Sequence, residues 1–133
     1  MDSEEQVSSP TDSETRSAEV GRLGEDLAVR YLWKKNYRIL HRNFHGPHGE
    51  LDVIAERGGR IYFVEVKTRT SHRLGEPEER VDTRKRQHLR ATANHYLAQF
   101  PEAPPAGHTF AVLAQVLDEN DQVLEQNLWE EAF

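Results

Sequence analysis

The sequence predicts an α/β fold in which a mixed central β-sheet is flanked by helices, in the order α-β-β-β-α-β-β. Three observations carry this. Val20, Leu23, Leu27, Tyr31 and Leu32 recur at helical spacing. Two apolar-alternating runs within Gly49–Thr68 are joined by Gly58-Gly59, a pair suited to a two-residue hairpin turn. Thr109–Leu117 is apolar at both phases, as expected of a strand covered on both faces. At 133 residues the chain is long enough for one domain with a real core.

Each element follows in order. Residues 1–17 are rich in Ser, Glu and Asp and nearly lack large apolar side chains, so a disordered acidic tail is expected, with the folded domain spanning 18–133. A helix is expected over 18–35, with Ser17 as its N-cap and Asn36 at its stop. A strand over 37–44 leads to a turn at Gly46-Pro47-His48-Gly49. Strands over 50–56 and 60–68 form the glycine hairpin. Gly75 and Pro77 interrupt 69–79, which reads as a loop. A second helix starts at Asp82 or Thr83 and ends at Gln99, with Val81, Leu89, Ala93, Tyr96 and Leu97 along its apolar side and Pro101, Pro104, Pro105 and Gly107 beyond it. Strands over 109–117 and 122–128 flank a turn at Asp118–Asp121. No internal repeat is visible.

Composition excludes several classes. There is no cysteine, hence no disulfide and no thiolate metal site. No apolar run is long enough for a membrane helix, and the acidic N-terminus does not resemble a signal peptide, so a cytoplasmic location without membrane contact is expected. The net charge of −6 is unevenly spread: residues 1–18 carry −4, residues 117–133 carry −6, and the body between carries +4. A basic body between acidic ends suits a polyanion-binding core.

The hairpin carries the chemistry. If Gly58 and Gly59 form the loop, Asp52 lies opposite Glu65 and Glu50 opposite Lys67. Period-two alternation then places all four on one face, beside Ile54, Ile61 and Phe63. Like charges directly opposed across strands repel, and a divalent cation between them removes the repulsion. Asp52 and Glu65 are hard oxygen ligands suited to Mg²⁺ or Mn²⁺, and the Val66 carbonyl adds a third from the same strand. Lys67 then stands where an ammonium can orient water or stabilise phosphate charge. This set suits phosphodiester hydrolysis. Glu50 is a further candidate, with a plain cross-strand ion pair to Lys67 as its simpler role.

Asp-x12-Glu-x-Lys on a hairpin, after a helix with an internal Glu, resembles the PD-(D/E)XK nuclease superfamily. More closely, GRLGEDLAVRYL, GELDVIA and FVEVKTR resemble the bacterial YraN-type family of predicted nucleases, akin to archaeal Holliday-junction resolvases. The similarity covers residues 19–100 well. It implies a restriction-endonuclease-like fold and a metal-dependent endonuclease acting on DNA, branched or duplex, in some cases as a homodimer. It also implies Glu25 as a third acidic catalytic and metal-binding residue, and Lys85, with Gln87 beside it, as nucleic-acid contacts. Leu51 stands where the superfamily pattern has proline. Phe110-Ala111 and the final Glu131-Ala132-Phe133 also depart from the family pattern, away from the proposed centre. A scaffold that binds nucleic acid without turnover is the alternative reading.

Arg80, Arg84, Lys85, Arg86 and Arg90 make the second helix basic, and Arg69 follows the motif strand. Arg84, Lys85 and Arg69 are the phosphate-contact candidates. Tyr62, Phe63, Tyr96, Trp33 and Trp129 are expected in the core or an interface rather than as base-stacking platforms. His41, His45 and His48 form no helical HxxxH pair, which leaves zinc weakly supported.

Overall fold

The computed structural model describes residues 12–71 and 83–133, with side chains from residue 18 onward. The elements are α1 (Asp12–Lys34), β1 (Arg38–Gly46), β2 (Gly49–Arg57), β3 (Arg60–Thr70), α2 (Thr83–Leu97), β4 (His108–Leu117) and β5 (Val123–Glu130). The five strands form one mixed sheet in the order β1-β2-β3-β4-β5. Only β3 and β4 run parallel. A parallel neighbour requires a long crossover, and α2 lies on that crossover.

The two helices cover opposite faces. Under α1, Ala28 and Leu32 cluster with Tyr37, Val53, Ala55, Tyr62, Val64, Ala111 and Leu113. Under α2, Leu89, Ala93 and Tyr96 cluster with Phe44, Leu51, Ile54, Phe63 and Phe110. Each fully buried Leu, Ile or Phe side chain contributes about 1.5–3 kcal/mol relative to exposure, so these layers dominate the stability. α1 comes very close to the sheet at Gly24, where a Cβ would fall 2.1 Å from Thr68 Oγ1. The Gly24 carbonyl accepts a hydrogen bond from buried Gln115 Nε2 at 2.8 Å, and Gln115 Oε1 accepts one from Gln126 Nε2 at 2.7 Å. That network locks helix, β4 and β5 together.

Local chemistry sets the boundaries. Asn36 (φ 71°) takes the left-handed position after α1. Its N–H donates to the Trp33 carbonyl, and the Tyr37 N–H donates to that of Leu32, the paired pattern of a Schellman stop. Gly58 and Gly59 (φ 63° and 80°) make the expected tight turn, and the Glu56 carboxylate accepts the Gly59 N–H at 2.8 Å. At the last turn, Asp118 Oδ1 accepts the N–H groups of Asn120 and Gln122.

Some boundaries differ from expectation. α1 starts at Asp12, so Ser17 lies inside the helix and is not its N-cap. Residues 12–17 contain neither Gly nor Pro, and extending a nucleated helix costs little; the early acids also favour a helix N-terminus. Residues 1–11, most of the expected tail, lie outside the described residues. β3 continues to Thr70, which places Arg69 in a strand rather than a loop because β4 pairs with it throughout. Residues 72–79 of the expected loop, and Arg80, Val81 and Asp82 after it, also lie outside the described residues. α2 ends at Leu97, two residues early, and β5 runs on to Glu130. β4 is covered fully on the α1 face alone; Val112, Ala114 and Val116 on the other face are half-buried. No helix among the described residues is long and apolar enough to cross a membrane.

Candidate metal centre

The sheet forks at Asp52. β1 and β2 stay paired to Gly46–Gly49, and β3 and β4 to Thr70–Leu117. The β2–β3 ladder runs only from Arg57–Arg60 to Val53–Val64. Beyond it the β1–β2 hairpin leans toward α2, where Phe44 and Leu51 join the α2-side cluster. A Cβ at Gly46 would lie 2.9 Å from Thr92 Cγ2, so glycine permits this approach. β1 turns over at Asn43 (φ 53°), a residue that tolerates the left-handed region. Arg42 and Asn43 therefore both reach α1, while Phe44 packs under α2.

Asp52 is the first β2 residue past the last pair. Its Oδ2 accepts the Val66 N–H at 2.8 Å, replacing a ladder bond with a side-chain one. In an extended strand a residue's N–H and C=O point to the same edge, so the Val66 carbonyl faces this opening too. The expected register therefore holds through Val53–Val64 and stops there. Asp52 and Glu65 do not continue the backbone ladder, and neither do Glu50 and Lys67. Glu50 instead follows β1, its carboxylate 4.0 Å from His45 Nε2. The fork goes with the burial of Phe44 and Leu51 under α2.

The remaining acids approach from both layers. Glu65 faces α2 and pairs with Lys85 Nζ at 2.8 Å, its side chain only 12% exposed. Lys67, two residues on, shares that face and is half-buried. Glu25 comes from α1, where Arg42 Nη2 at 2.9 Å and Asn43 Nδ2 at 2.8 Å donate to its Oε1. Burial pushes the Asp52 carboxyl up to about 7, and the charge of Glu65 adds to the rise. The Val66 N–H pulls it down, while Glu25 and Glu50 push it up further. All three other acidic candidates thus act on Asp52.

Among the described residues no three His, Cys, Asp or Glu side chains stand together as a ready ligand set. The donors that fit a cation are narrower: Asp52, Glu65 and the Val66 carbonyl, with Glu25 behind them. Mg²⁺ commonly takes one or two protein carboxylates and keeps several waters, so this set is sufficient.

Arg69, Arg84 and Gln87 are exposed as candidate phosphate contacts. Lys85 is turned inward onto Glu65. Arg86 and Arg90 lie over Phe133, each 5.9 Å from the ring centroid. Tyr62, Phe63 and Tyr96 are buried as expected, whereas Trp33 and Trp129 are 69% and 53% exposed and belong to no core. Sequence reasoning missed Arg42 and Asn43 as the groups that hold Glu25. The only trace was an Asn in the middle of a strand, a residue that favours turns.

A small α/β domain with a forked mixed sheet and an acidic cluster at the fork is the class this architecture defines. The chain belongs to the uncharacterised protein family UPF0102, whose family model matches residues 24–115, from the close helix contact to the buried glutamine of β4. It is 42% identical over 115 residues to a UPF0102 protein of Caldicellulosiruptor saccharolyticus, covering 86% of this chain and 97% of the relative. A UPF0102 protein of Syntrophomonas wolfei is 52% identical over 87 residues, 65% of this chain and 76% of the relative. One from Mycolicibacterium vanbaalenii is 46% identical over 107 residues, with 80% and 84% covered.

Proposed function

We propose that this protein is a divalent-metal-dependent endonuclease that hydrolyses DNA phosphodiester bonds, in duplex or branched DNA. The observation that carries the reading is Asp52: a carboxyl at the fork of the sheet, pushed up by burial and by three neighbouring acids. Proteins seldom keep such a costly arrangement of partly buried acids without a use for it.

Asp52, Glu65 and the Val66 carbonyl would hold Mg²⁺ or Mn²⁺, with Glu25 as the acid reaching in from α1. The ion supplies a polarised phosphate and a water of lowered pKa. Lys67, on the face of Glu65, orients the attacking water or offsets charge building on the phosphate. Glu50, at the rim beside His45, adds negative potential. Arg69, Arg84 and Gln87 supply the rim that meets the phosphate backbone, with Lys85 beside it, paired to Glu65. Cutting two strands needs two centres, which a homodimer would provide.

The Lys85–Glu65 pair favours a second reading, a nucleic-acid-binding scaffold without turnover, because a lysine already balances one of the acids. One assay separates the two. Single-stranded, duplex and four-way-branched DNA are incubated with the full chain in Mg²⁺, Mn²⁺ or EDTA. Metal-dependent cutting lost in Asp52→Ala and Lys67→Ala is expected. Binding without cutting in either metal removes the hydrolytic reading in favour of the scaffold.

A further inference from the structure

Among the described residues, the sheet face that carries Glu65 continues uncovered across β4 and β5. Glu65 lies beside Val112 and Val112 beside Trp129; Lys67, Ala114 and Asn127 form the next row; Arg69, Val116 and Glu125 form the third. Residues aligned in this way point to the same side of a sheet. Their chain neighbours Val64, Val66, Ala111, Leu113 and Leu128 pack in the α1-side core, which fixes the side. α2 packs instead over Ile54, Phe63 and Phe110. The result is a trough. Its floor is the half-buried Val112, Ala114 and Val116; one wall is β3, and the other is the exposed β5 side chains.

We propose that this trough binds a single polynucleotide strand, with phosphates along Lys67 and Arg69, an unpaired base stacked on Trp129 and its edge against Asn127. The proposal takes the class of polymer from the nuclease reading and adds what part of it is bound. Two strand spacings, about 10 Å, separate the backbones of β3 and β5, a width that suits a single polynucleotide strand. Successive rows repeat about every 6.6 Å, close to the step between phosphates of an extended strand. Trp129 shares its row with Glu65, so the stacked base belongs to the nucleotide at, or next to, the phosphate at the candidate centre. Indole stacking tolerates any base and needs only an unstacked one. The apolar floor, Lys67 and Arg69 on one wall, and Trp129 and Asn127 on the other match the three parts of a nucleotide, with Glu125 in the outermost row. Two of the three rows are polar or charged at both walls, unlike the apolar centre of a contact between copies. The preferred substrate therefore carries an unpaired nucleotide beside the bond that is cut, as in single strands, flaps and opened junctions. Trp129 also lies outside the 24–115 segment that defines the family match.

Trp33 and Trp129 are the only tryptophans, so the full chain carrying Trp33→Phe has one indole reporter. It is titrated in EDTA at low salt with a short oligothymidylate and with a fully paired DNA hairpin, so that no cutting occurs. Saturable quenching by oligothymidylate and little by the paired stem is expected. Trp129→Ala should weaken oligothymidylate binding about tenfold, read by anisotropy of a labelled oligomer, and Trp129→Phe should restore most of it. Unchanged affinity in Trp129→Ala overturns the proposal, as does binding without quenching of Trp129. So does a change in Trp129→Ala from dimer to monomer by sedimentation at unchanged affinity, which would make the face a contact between copies. Quenching in a chain that cuts nothing in any metal supports the trough while removing the nuclease reading, so the two fail separately.

Discussion

Replacing Asp52 by Asn isolates the electrostatic cost stored at the fork. The folded Asp52 carboxyl sits at about 7 against its ordinary value of 3.8, mainly through burial and then through Glu65. The folded state therefore holds a proton more tightly than the unfolded chain does. Below about pH 4 the group is protonated in both states and costs nothing. As pH rises, the unfolded chain ionises first, and folding stability falls by about 1.4 kcal/mol per pH unit until the folded group ionises near 7. The full loss is about 4 kcal/mol, constant above pH 7. Asn has nearly the same shape and its amide oxygen can still accept the Val66 N–H, though a neutral acceptor gives up about 1 kcal/mol. Asp52→Asn should thus be more stable than the parent by about 3 kcal/mol at pH 8, with the gap closing toward pH 5. Urea unfolding in EDTA at half-unit steps from pH 5 to 8.5 measures it. Curves of unfolding free energy against pH that run parallel for parent and variant would refute the reasoning. The same material tests the ion: millimolar Mg²⁺ or Mn²⁺ should stabilise the parent above pH 7, less at pH 6 where protons compete, and leave Asp52→Asn unmoved.

Three further outcomes follow from the packing. Gly24→Ala drives a methyl group into Thr68 Oγ1 and should cost about 1–3 kcal/mol, seen as a lower thermal midpoint; Gly21→Ala, with nothing within 4 Å of its added Cβ, should not lower it. Lys85→Gln leaves the largely buried Glu65 carboxylate without its partner, so the variant should lose about 2 kcal/mol in EDTA and recover more of it than the parent gains when Mn²⁺ is added. Tyr37 donates to Glu130 across the sheet, and burial, with that bond, raises its phenol well above the usual value. Tyr37→Phe should cost about 1 kcal/mol by chemical denaturation, and a larger loss would show that Glu130 is not sufficiently served by Arg57, which lies 3.5 Å away.

The hairpin was legible because its signals are local. Two glycines that tolerate positive φ set the turn, and alternation then set the partners as far as Val53–Val64. The place where the ladder ends was not legible, because it depends on Phe44 and Leu51 finding a home under α2, a helix more than thirty residues along the chain. Glu25 shows the same division. Its helix was visible in the apolar spacing, but its hold by Arg42 and Asn43 depends on a left-handed residue inside β1. α1 begins earlier than its polar composition suggests, because extending a nucleated helix costs little.

By itself the sequence determined the element order and the hairpin register near its turn, both of which rest on residue type and short-range period. Tertiary structure alone decided that the sheet divides at Asp52, that Glu65 is tied to Lys85, and that Trp129 stands exposed in the same row as Glu65. Those outcomes are set by which distant surfaces exclude water from one another. That competition is settled between layers and leaves no periodic mark along the chain.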